Sequence, residues 1–135
     1  MFLLDTNVVS ELRKTKPHGG VLAWISAVPD TDLYISAVTL GEIQRGIELT
    51  RAQNLAKANE ISQWADRLAS SHNILPMDAQ AFRLCAQLLH GQTDALFEDA
   101  MIAATARVHQ LTVVTRNTRD FVSFSVPLLN PFEPV

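Results

Sequence analysis

Short apolar runs alternate along this chain with longer segments in which apolar residues recur every three or four positions. The short runs have the length and composition of buried β-strands, and they lie at residues 2–4, 33–35, 74–75 and 111–115. A further short run at residues 126–128 predicts an edge strand before a tail that contains proline. The pattern therefore predicts four main strands and one edge strand.

The segments between these runs have helical periodicity. Helices are predicted at residues 8–13, 21–28, 38–49, 52–69, 79–89 and 98–108. Loops are predicted at residues 14–20 and 90–97. Strands separated by helices indicate an α/β fold with a mostly parallel central sheet and helices on both faces. A chain of 135 residues is expected to form one domain.

Composition narrows the class of protein. Hydrophobic residues make up 47% and charged residues 19% of the chain, which is typical of a globular domain. Cys85 is the only cysteine, so no intramolecular disulfide can form, and a reducing, cytoplasmic setting is favoured. We expect Cys85 to lie in the hydrophobic core. No apolar run approaches the roughly 18 residues of a membrane span.

The charge balance limits how this chain could bind a nucleic acid. Eleven basic residues against fourteen acidic ones give a net charge of -3. A broad basic surface of the kind that holds duplex DNA non-specifically is therefore excluded. A nucleic acid would have to be held locally, by a few cations or through a metal ion.

Three acidic residues lie where ligands bind in parallel α/β folds, beyond the carboxyl ends of the strands. Asp5 directly follows the first predicted strand. Its alternative role is to cap the next helix, since aspartate is a preferred N-cap residue. The two interpretations stay open at this point.

Glu42 also has two interpretations. Thr39 and Glu42 satisfy the spacing of a capping box, in which the glutamate would only close a helix end. Ser36, directly after the second strand, offers an earlier helix start. In that case Glu42 would lie more than one turn inside the helix and be free for chemistry.

Asp99 is predicted at or near the start of a helix, where the helix dipole favours a carboxylate. The alanines that follow it leave little bulk, so this helix can approach the sheet closely and bring its first turn toward Asp5. Glu98 is adjacent in sequence but points about 100° around the helix from Asp99.

The segment after the fourth strand supplies further polar groups. Thr115, Asn117 and Asp120 could reach the same crevice, and Arg116 or Arg119 could contact phosphate. A polar turn would explain these residues equally well.

Three carboxylates that converge without a cation repel one another, whereas Mg²⁺ or Mn²⁺ neutralises them. A divalent ion in such a site lowers the pKa of water and stabilises charge that builds on phosphate. If Asp5, Glu42 and Asp99 converge, phosphodiester hydrolysis is the natural chemistry, and the metal would also allow an acidic protein to bind an anionic strand.

The chain resembles the PIN-domain ribonucleases, specifically the VapC-type toxins of bacterial toxin–antitoxin pairs. The resemblance rests on three segments in the same order, LLDTNVVSEL, ISAVTLGEIQRGIE and EDAMIAATARVHQLTVVTRNTRDF. It covers nearly the whole chain and implies a PIN-like fold and a metal-dependent endoribonuclease that uses Mg²⁺ or Mn²⁺.

The resemblance also implies roles for single residues. Asp5, Glu42 and Asp99 match the acidic metal ligands of the family. A fourth acid often follows the last main strand, where this chain has Asn117 with Asp120 three residues later. Either residue could fill that role: Asn117 through its amide and a water, or Asp120 through its charge.

Residues around the acids match other positions in the family. Thr115 and Asn7 resemble residues that line the pocket. Arg13 and Lys14 are candidate RNA contacts, with solvated helix-end cations as the alternative, and Arg116 is a third candidate. The family further implies an RNA substrate, a homodimer and a cognate antitoxin that covers the site.

Other classes match less well. A haloacid-dehalogenase-type phosphatase needs a second acid two residues after the first, where this chain has Asn7. A response-regulator receiver needs adjacent acids near the first strand and a lysine after the last strand, and this chain has neither. A histidine metal cage needs two closely spaced ligands, which none of the four histidines provides. A catalytically weak PIN-like module that binds RNA or a partner remains the alternative, because the fourth acidic position is changed.

Overall fold

The computed structural model describes residues 1–134, which contain a five-stranded sheet. The strands are β1 (Phe2–Leu4), β2 (Leu33–Ser36), β3 (Asn73–Leu75), β4 (Thr112–Val114) and β5 (Leu128–Leu129). All four neighbouring pairs are parallel, and the order across the sheet is β3-β2-β1-β4-β5. The predicted α/β fold is confirmed, and the edge strand lies slightly later in the chain than predicted.

Strand β1 lies at the centre of the sheet, between β2 and β4. Leu4 pairs with Ile35 on one side and with Val114 on the other, so the three strands end at the same level. The chain fills the sheet outward from β1 in both directions, which makes the β1–β4 boundary a topological switch point. In open parallel sheets, the crevice at such a point is where ligands bind.

Within residues 1–134, seven helices connect the strands. They are α1 (Thr6–Glu11), α2 (Gly19–Ala27), α3 (Ala37–Arg51), α4 (Leu55–Ser71), α5 (Ala79–Leu89), α6 (Phe97–His109) and α7 (Thr118–Phe121). Short 3₁₀ turns lie at Asp30–Asp32, Asp94–Leu96 and Val122–Phe124. Among residues 1–134, none of these helices is both long enough and apolar enough to cross a bilayer.

The helices cover both faces of the sheet, as predicted. On one face α1, α2, α3 and α4 pack over a core that includes Leu4, Ile35, Ile47 and Val114. On the other face α5 and α6 pack over a second core that includes Cys85, which is buried as expected.

The alternating sides of each strand explain this division. Leu3 and Leu4 are adjacent in β1, point to opposite faces and are both fully buried. A parallel strand that is covered on both faces must be continuously apolar, which is the pattern seen in the sequence.

Several helix boundaries differ from the prediction for local reasons. Helix α2 begins at Gly19, inside the predicted loop, because His18 Nδ1 accepts a 3.1 Å hydrogen bond from the Gly20 amide and caps the helix. Helix α4 begins three residues later than predicted, because Asn54 Oδ1 caps it through the Lys57 amide at 3.0 Å. The polar segment after β4, for which a polar turn was one of two interpretations, contains the short helix α7.

Candidate active site

The sheet places Asp5 and Thr115 side by side at the switch point. Asp5 follows β1 and Thr115 follows β4, and both side chains are buried. The Asp5 amide continues the pairing of the strands by donating to the Val114 carbonyl at 2.9 Å. The position of both residues therefore follows from the register of two central strands.

Asp5 both caps a helix and lies in the crevice, so its two predicted roles coexist. Its Oδ1 accepts from the Thr6 amide at 2.8 Å, and its Oδ2 accepts from the Thr115 hydroxyl at 2.8 Å. Only 5% of the residue is exposed. Burial raises the pKa of Asp5, the bonds from Thr115 and Thr6 lower it, and the charges of Asp120 and Glu98 raise it further.

Thr115 connects the polar groups around Asp5. Its Oγ1 accepts from Asn7 Nδ2 at 3.2 Å and from the Asn117 amide at 3.0 Å while it donates to Asp5. Asn7 Nδ2 also lies 3.3 Å from Asp5 Oδ2, and Asn7 Oδ1 accepts from the Arg116 amide at 3.2 Å. These bonds join the start of α1 to the segment after β4.

Glu42 lies in the second turn of α3, which begins at Ala37 because Ser36 Oγ accepts from the Val38 amide at 3.1 Å. The capping-box interpretation of Thr39 and Glu42 is therefore wrong. Thr39 is instead buried, and its hydroxyl lies 3.1 Å from that of Thr6.

The surroundings of Glu42 disfavour its charge. Glu42 is half-buried, and its pKa is raised to about 7, mainly by burial and then by the charge of Glu98. A hydrogen bond from the Thr6 side chain lowers the pKa, and the charge of Asp5 raises it. Glu42 is thus electrostatically linked to acids on two other elements.

Asp99 is the third residue of α6 and is half-buried. Its pKa is raised to about 7 by burial and then by the charges of Asp5, Asp120 and Glu98. Alanines behind it in α6, including Ala100 and Ala103, are fully buried. These alanines share one core with Leu3 and Val113 of the sheet, so the small residues of α6 are where the helix packs on the sheet.

The sequence interpretation missed Glu98. The charge of this exposed residue raises the pKa of Asp5, Glu42 and Asp99, so it belongs to the same cluster. The angle of about 100° from Asp99 turns Glu98 toward Glu42 and a cavity near α3, where both residues line the wall. Its position in the first turn of α6 was the one signal in the sequence.

Asn117 directly precedes α7 and Asp120 lies within it, and the two residues occupy different environments. Asp120 is half-buried, and its charge raises the pKa of both Asp5 and Asp99. Asn117 is exposed, and its backbone amide, rather than its side chain, bonds to Thr115. The negative potential at this end of the sheet therefore includes Asp120.

The described cations do not neutralise these acids. Among residues 1–134 the ion pairs are Lys14–Glu11, Arg51–Glu48 and Lys57–Glu60, all outside the cluster. Within the same part of the chain, no three acidic, histidine or cysteine side chains are placed to hold one ion together. The side chains of the cluster are carboxylates, and carboxylate oxygens suit Mg²⁺ or Mn²⁺ rather than a soft metal.

The three predicted RNA contacts, Arg13, Lys14 and Arg116, lie in different settings. Lys14 pairs with the buried Glu11, which also accepts from the His18 amide at 2.9 Å. Arg13 is exposed and lines a cavity of about 290 Å³ whose wall also includes Glu42. Arg116 is exposed next to the acids.

Comparisons with known proteins agree with this architecture. Residues 2–125 match the PIN domain family. The chain is 37% identical over 145 residues to the VapC ribonuclease Y4jK of Sinorhizobium fredii (strain NBRC 101917 / NGR234), a match that covers 99% of each chain.

Two solved structures have a similar fold. The FitAcB crystal structure from Neisseria gonorrhoeae superposes with a TM-score of 0.87 at 35% identity, over 99% of this chain and 100% of the other. A toxin–antitoxin complex from Klebsiella pneumoniae gives a TM-score of 0.75 at 26% identity, over 99% of this chain and 100% of the other.

Proposed function

The chain belongs to the PIN-domain family, and we propose that it is a metal-dependent endoribonuclease that acts as the toxin of a toxin–antitoxin pair. The observation that carries this proposal is the acidic cluster at the β1–β4 switch point. Asp5, Glu42 and Asp99 come from three separate βα units, and each has a raised pKa. The ribonuclease name of the 37% identical relative supports RNA as the substrate class.

In this proposal Asp5, Glu42 and Asp99 would hold Mg²⁺ or Mn²⁺, with Asp120 as the fourth acid, and ion binding would draw these carboxylates closer together than they lie without it. When bound, the ion lowers the pKa of water and neutralises charge on the phosphate under attack. The resulting reaction adds water across a phosphodiester bond. Asp120 is favoured over Asn117 because its charge acts on both Asp5 and Asp99.

The residues around the acids would set the orientation and the protonation state of the carboxylates. Thr115 and Thr6 hold the two oxygens of Asp5, which fixes the carboxylate plane. Asn7 keeps the segment after β4 close to α1. The raised pKa of Glu42 and of Asp99 means that protons compete with a metal ion near neutral pH.

We also propose a cognate antitoxin, a homodimer and a cytoplasmic location, where cellular RNA is found. A cluster of carboxylates without a cation suits a basic antitoxin side chain. The exposed side chains of Phe82 and Phe97 line one cavity and offer apolar surface to a second copy. Light scattering of purified chain tests the dimer, and Phe82→Ser should shift the protein toward the monomer.

The nuclease proposal is tested with purified chain and single-stranded RNA. We expect cleavage in Mg²⁺ or Mn²⁺ and none in EDTA. Asp5→Asn or Asp99→Asn should abolish it, and Glu42→Gln should lower it at least tenfold. Asp66→Asn, which changes an exposed acid on α4, is the matched control.

Two results would contradict the proposal. Cleavage that persists in Asp5→Asn would remove the assigned site. Metal-dependent RNA binding without cleavage by the unmodified chain would favour the weak binding module instead.

A further inference from the structure

Arg116 is placed next to the acidic cluster and is held at two points. It follows Thr115, and its backbone amide donates to Asn7 Oδ1 at 3.2 Å. Its guanidinium lies over the ring of Phe132, with Cζ 3.8 Å from the ring centroid. The side chain remains exposed, so one face of the planar group covers the ring while the residue stays open to solvent.

The ring under Arg116 is fixed by the C-terminal tail. The Phe132 amide donates to Asn130 Oδ1 at 2.9 Å, and Asn130 Nδ2 donates back to the Arg116 carbonyl at 3.4 Å. The Phe132 ring also contacts the ring of His18, with centroids 5.0 Å apart. The stack of Arg116 on Phe132 is therefore preorganised and does not depend on a single contact.

A cavity of about 390 Å³ lies beside this stack. Its lining residues are Arg116, Asn117, Thr118, Arg119, Asp120 and Glu133. Neither arginine takes part in the ion pairs found among residues 1–134. Asp120 belongs both to this cavity and to the acidic cluster, so the cavity opens beside the proposed site of cleavage.

The chemistry of these groups suits one nucleotide of a single strand. Unpaired RNA bases stack on arginine planes and aromatic rings, and stacking tolerates any base because each has a π-face. An arginine with no acidic partner can neutralise one phosphate. Asp120 and Glu133 are the acids in the cavity and would repel phosphate from their own positions.

We infer that Arg116, supported by Phe132, is a stacking platform for an unpaired base of the RNA strand, and that Arg119 contacts a neighbouring phosphate. This inference rests on the proposed ribonuclease function and adds how the strand is held next to the cleavage site. It makes Arg116 a specificity determinant for unpaired over paired RNA, because a base in a duplex is already stacked.

The test separates stacking from charge. Binding of a short single-stranded RNA and of an abasic strand of equal length is measured in an Asp99→Asn background, where the strand stays intact. Arg116→Lys keeps the charge and loses the plane. We expect about tenfold weaker binding of the RNA and an unchanged affinity for the abasic strand. Phe132→Leu should give the same selective loss.

Two controls accompany these variants. Arg119→Ala should weaken the binding of both strands by the same factor, because it removes only a phosphate contact. Arg83→Ala, an exposed arginine on α5, should weaken neither. Thermal unfolding of each variant checks that the fold is kept.

An equal loss for both strands in Arg116→Lys, or no loss for either, would overturn the inference. In that case the stack would serve only to anchor the tail or a protein partner. This failure is distinguishable from failure of the nuclease proposal, because the ratio of the two binding constants is measured without cleavage. Failure of the unmodified chain to cleave RNA would contradict the nuclease proposal alone.

Discussion

The hydroxyl of Thr115 donates a 2.8 Å hydrogen bond to Oδ2 of Asp5 and so joins the ends of two neighbouring parallel strands. The direction of this bond is fixed by the other partners of the hydroxyl. Asn7 Nδ2 and the Asn117 amide are both donors, so the single hydroxyl proton must go to Asp5. Thr115 thereby favours the charged form of a carboxylate whose pKa is raised by burial.

Thr115→Val keeps the shape of the side chain and removes this hydroxyl. We expect a loss of about 1–3 kcal/mol in the free energy of unfolding, because buried partners are left without hydrogen bonds. RNA cleavage should fall at least tenfold, because Asp5 loses the hydrogen bond that holds one of its two carboxylate oxygens in place. Urea denaturation and kcat/KM measure the two effects. Thr115→Ser, which keeps the hydroxyl, should recover most of both, and equal behaviour of the two variants would argue against this role.

The fourth acidic position is decided by a second pair of variants. Asp120→Asn removes a charge that acts on Asp5 and Asp99, so we expect lower Mn²⁺ affinity and at least tenfold slower cleavage. Asn117→Ala keeps the backbone amide that bonds to Thr115 and should change cleavage less than threefold. Isothermal titration with Mn²⁺ and single-turnover cleavage give the comparison. A larger effect of Asn117→Ala would assign the role to the amide instead.

The raised pKa values predict how stability changes with pH. Glu42 and Asp99 have pKa values of about 7, above their ordinary values of 4.5 and 3.8. Between roughly pH 4 and pH 7 the folded chain therefore holds protons that the unfolded chain has lost. The free energy of unfolding contributed by these groups falls as pH rises through this window and then levels off.

Thermal unfolding without metal should show this decrease as a Tm that is several degrees lower at pH 8 than at pH 5.5. Asp99→Asn should flatten the profile and raise Tm at pH 8. Mn²⁺ should raise Tm more at pH 8 than at pH 5.5, because metal binding needs the carboxylates deprotonated. Hydrogen bonds from Lys14 and from the His18 amide lower the pKa of Glu11. Its contribution to the free energy of unfolding therefore rises with pH, but only below pH 4.5. A Tm that rises steadily from pH 5.5 to pH 8 without metal would contradict the assignment.

The sequence predicted the parts of the site that depend on one βα unit. Asp5 could be placed because a short apolar strand ends directly before it, and parallel strands bring their carboxyl ends to one edge. Glu42 was ambiguous, since Ser36 and Thr39 are both good helix caps. The structure decides between them because β2 runs to Ser36, which leaves no extended residues before the helix.

The parts of the site that depend on contacts between distant segments could not be predicted from the sequence. A helical angle places Glu98 relative to Asp99 but not relative to α3, so its closeness to Glu42 was missed. The stack of Phe132 on Arg116 joins the tail to the segment after β4 through side chains with no shared periodicity. Such contacts follow from the packing of whole elements, which local patterns do not encode.

Adjacent glycines at the start of α2 test whether the tail is seated as described. A Cβ added to Gly20 would lie 2.5 Å from the Pro131 carbonyl oxygen and 3.2 Å from the His18 ring, whereas one added to Gly19 meets no atom within 4 Å. Alanine improves helix propensity over glycine by about 1 kcal/mol at most. Gly19→Ala should therefore be neutral or slightly stabilising. Gly20→Ala should be destabilising by about 1–3 kcal/mol, because the tail backbone must move.

Gly19→Ala and Gly20→Ala should also differ in RNA binding. Movement of Pro131 would carry Phe132 away from Arg116, so Gly20→Ala should lose the preference for an RNA strand over an abasic strand, while Gly19→Ala keeps it. Urea midpoints and the two binding constants provide the measurements. If both variants are equally stable and equally selective, the tail does not rest on α2 in solution, and the support that orients Arg116 must come from elsewhere.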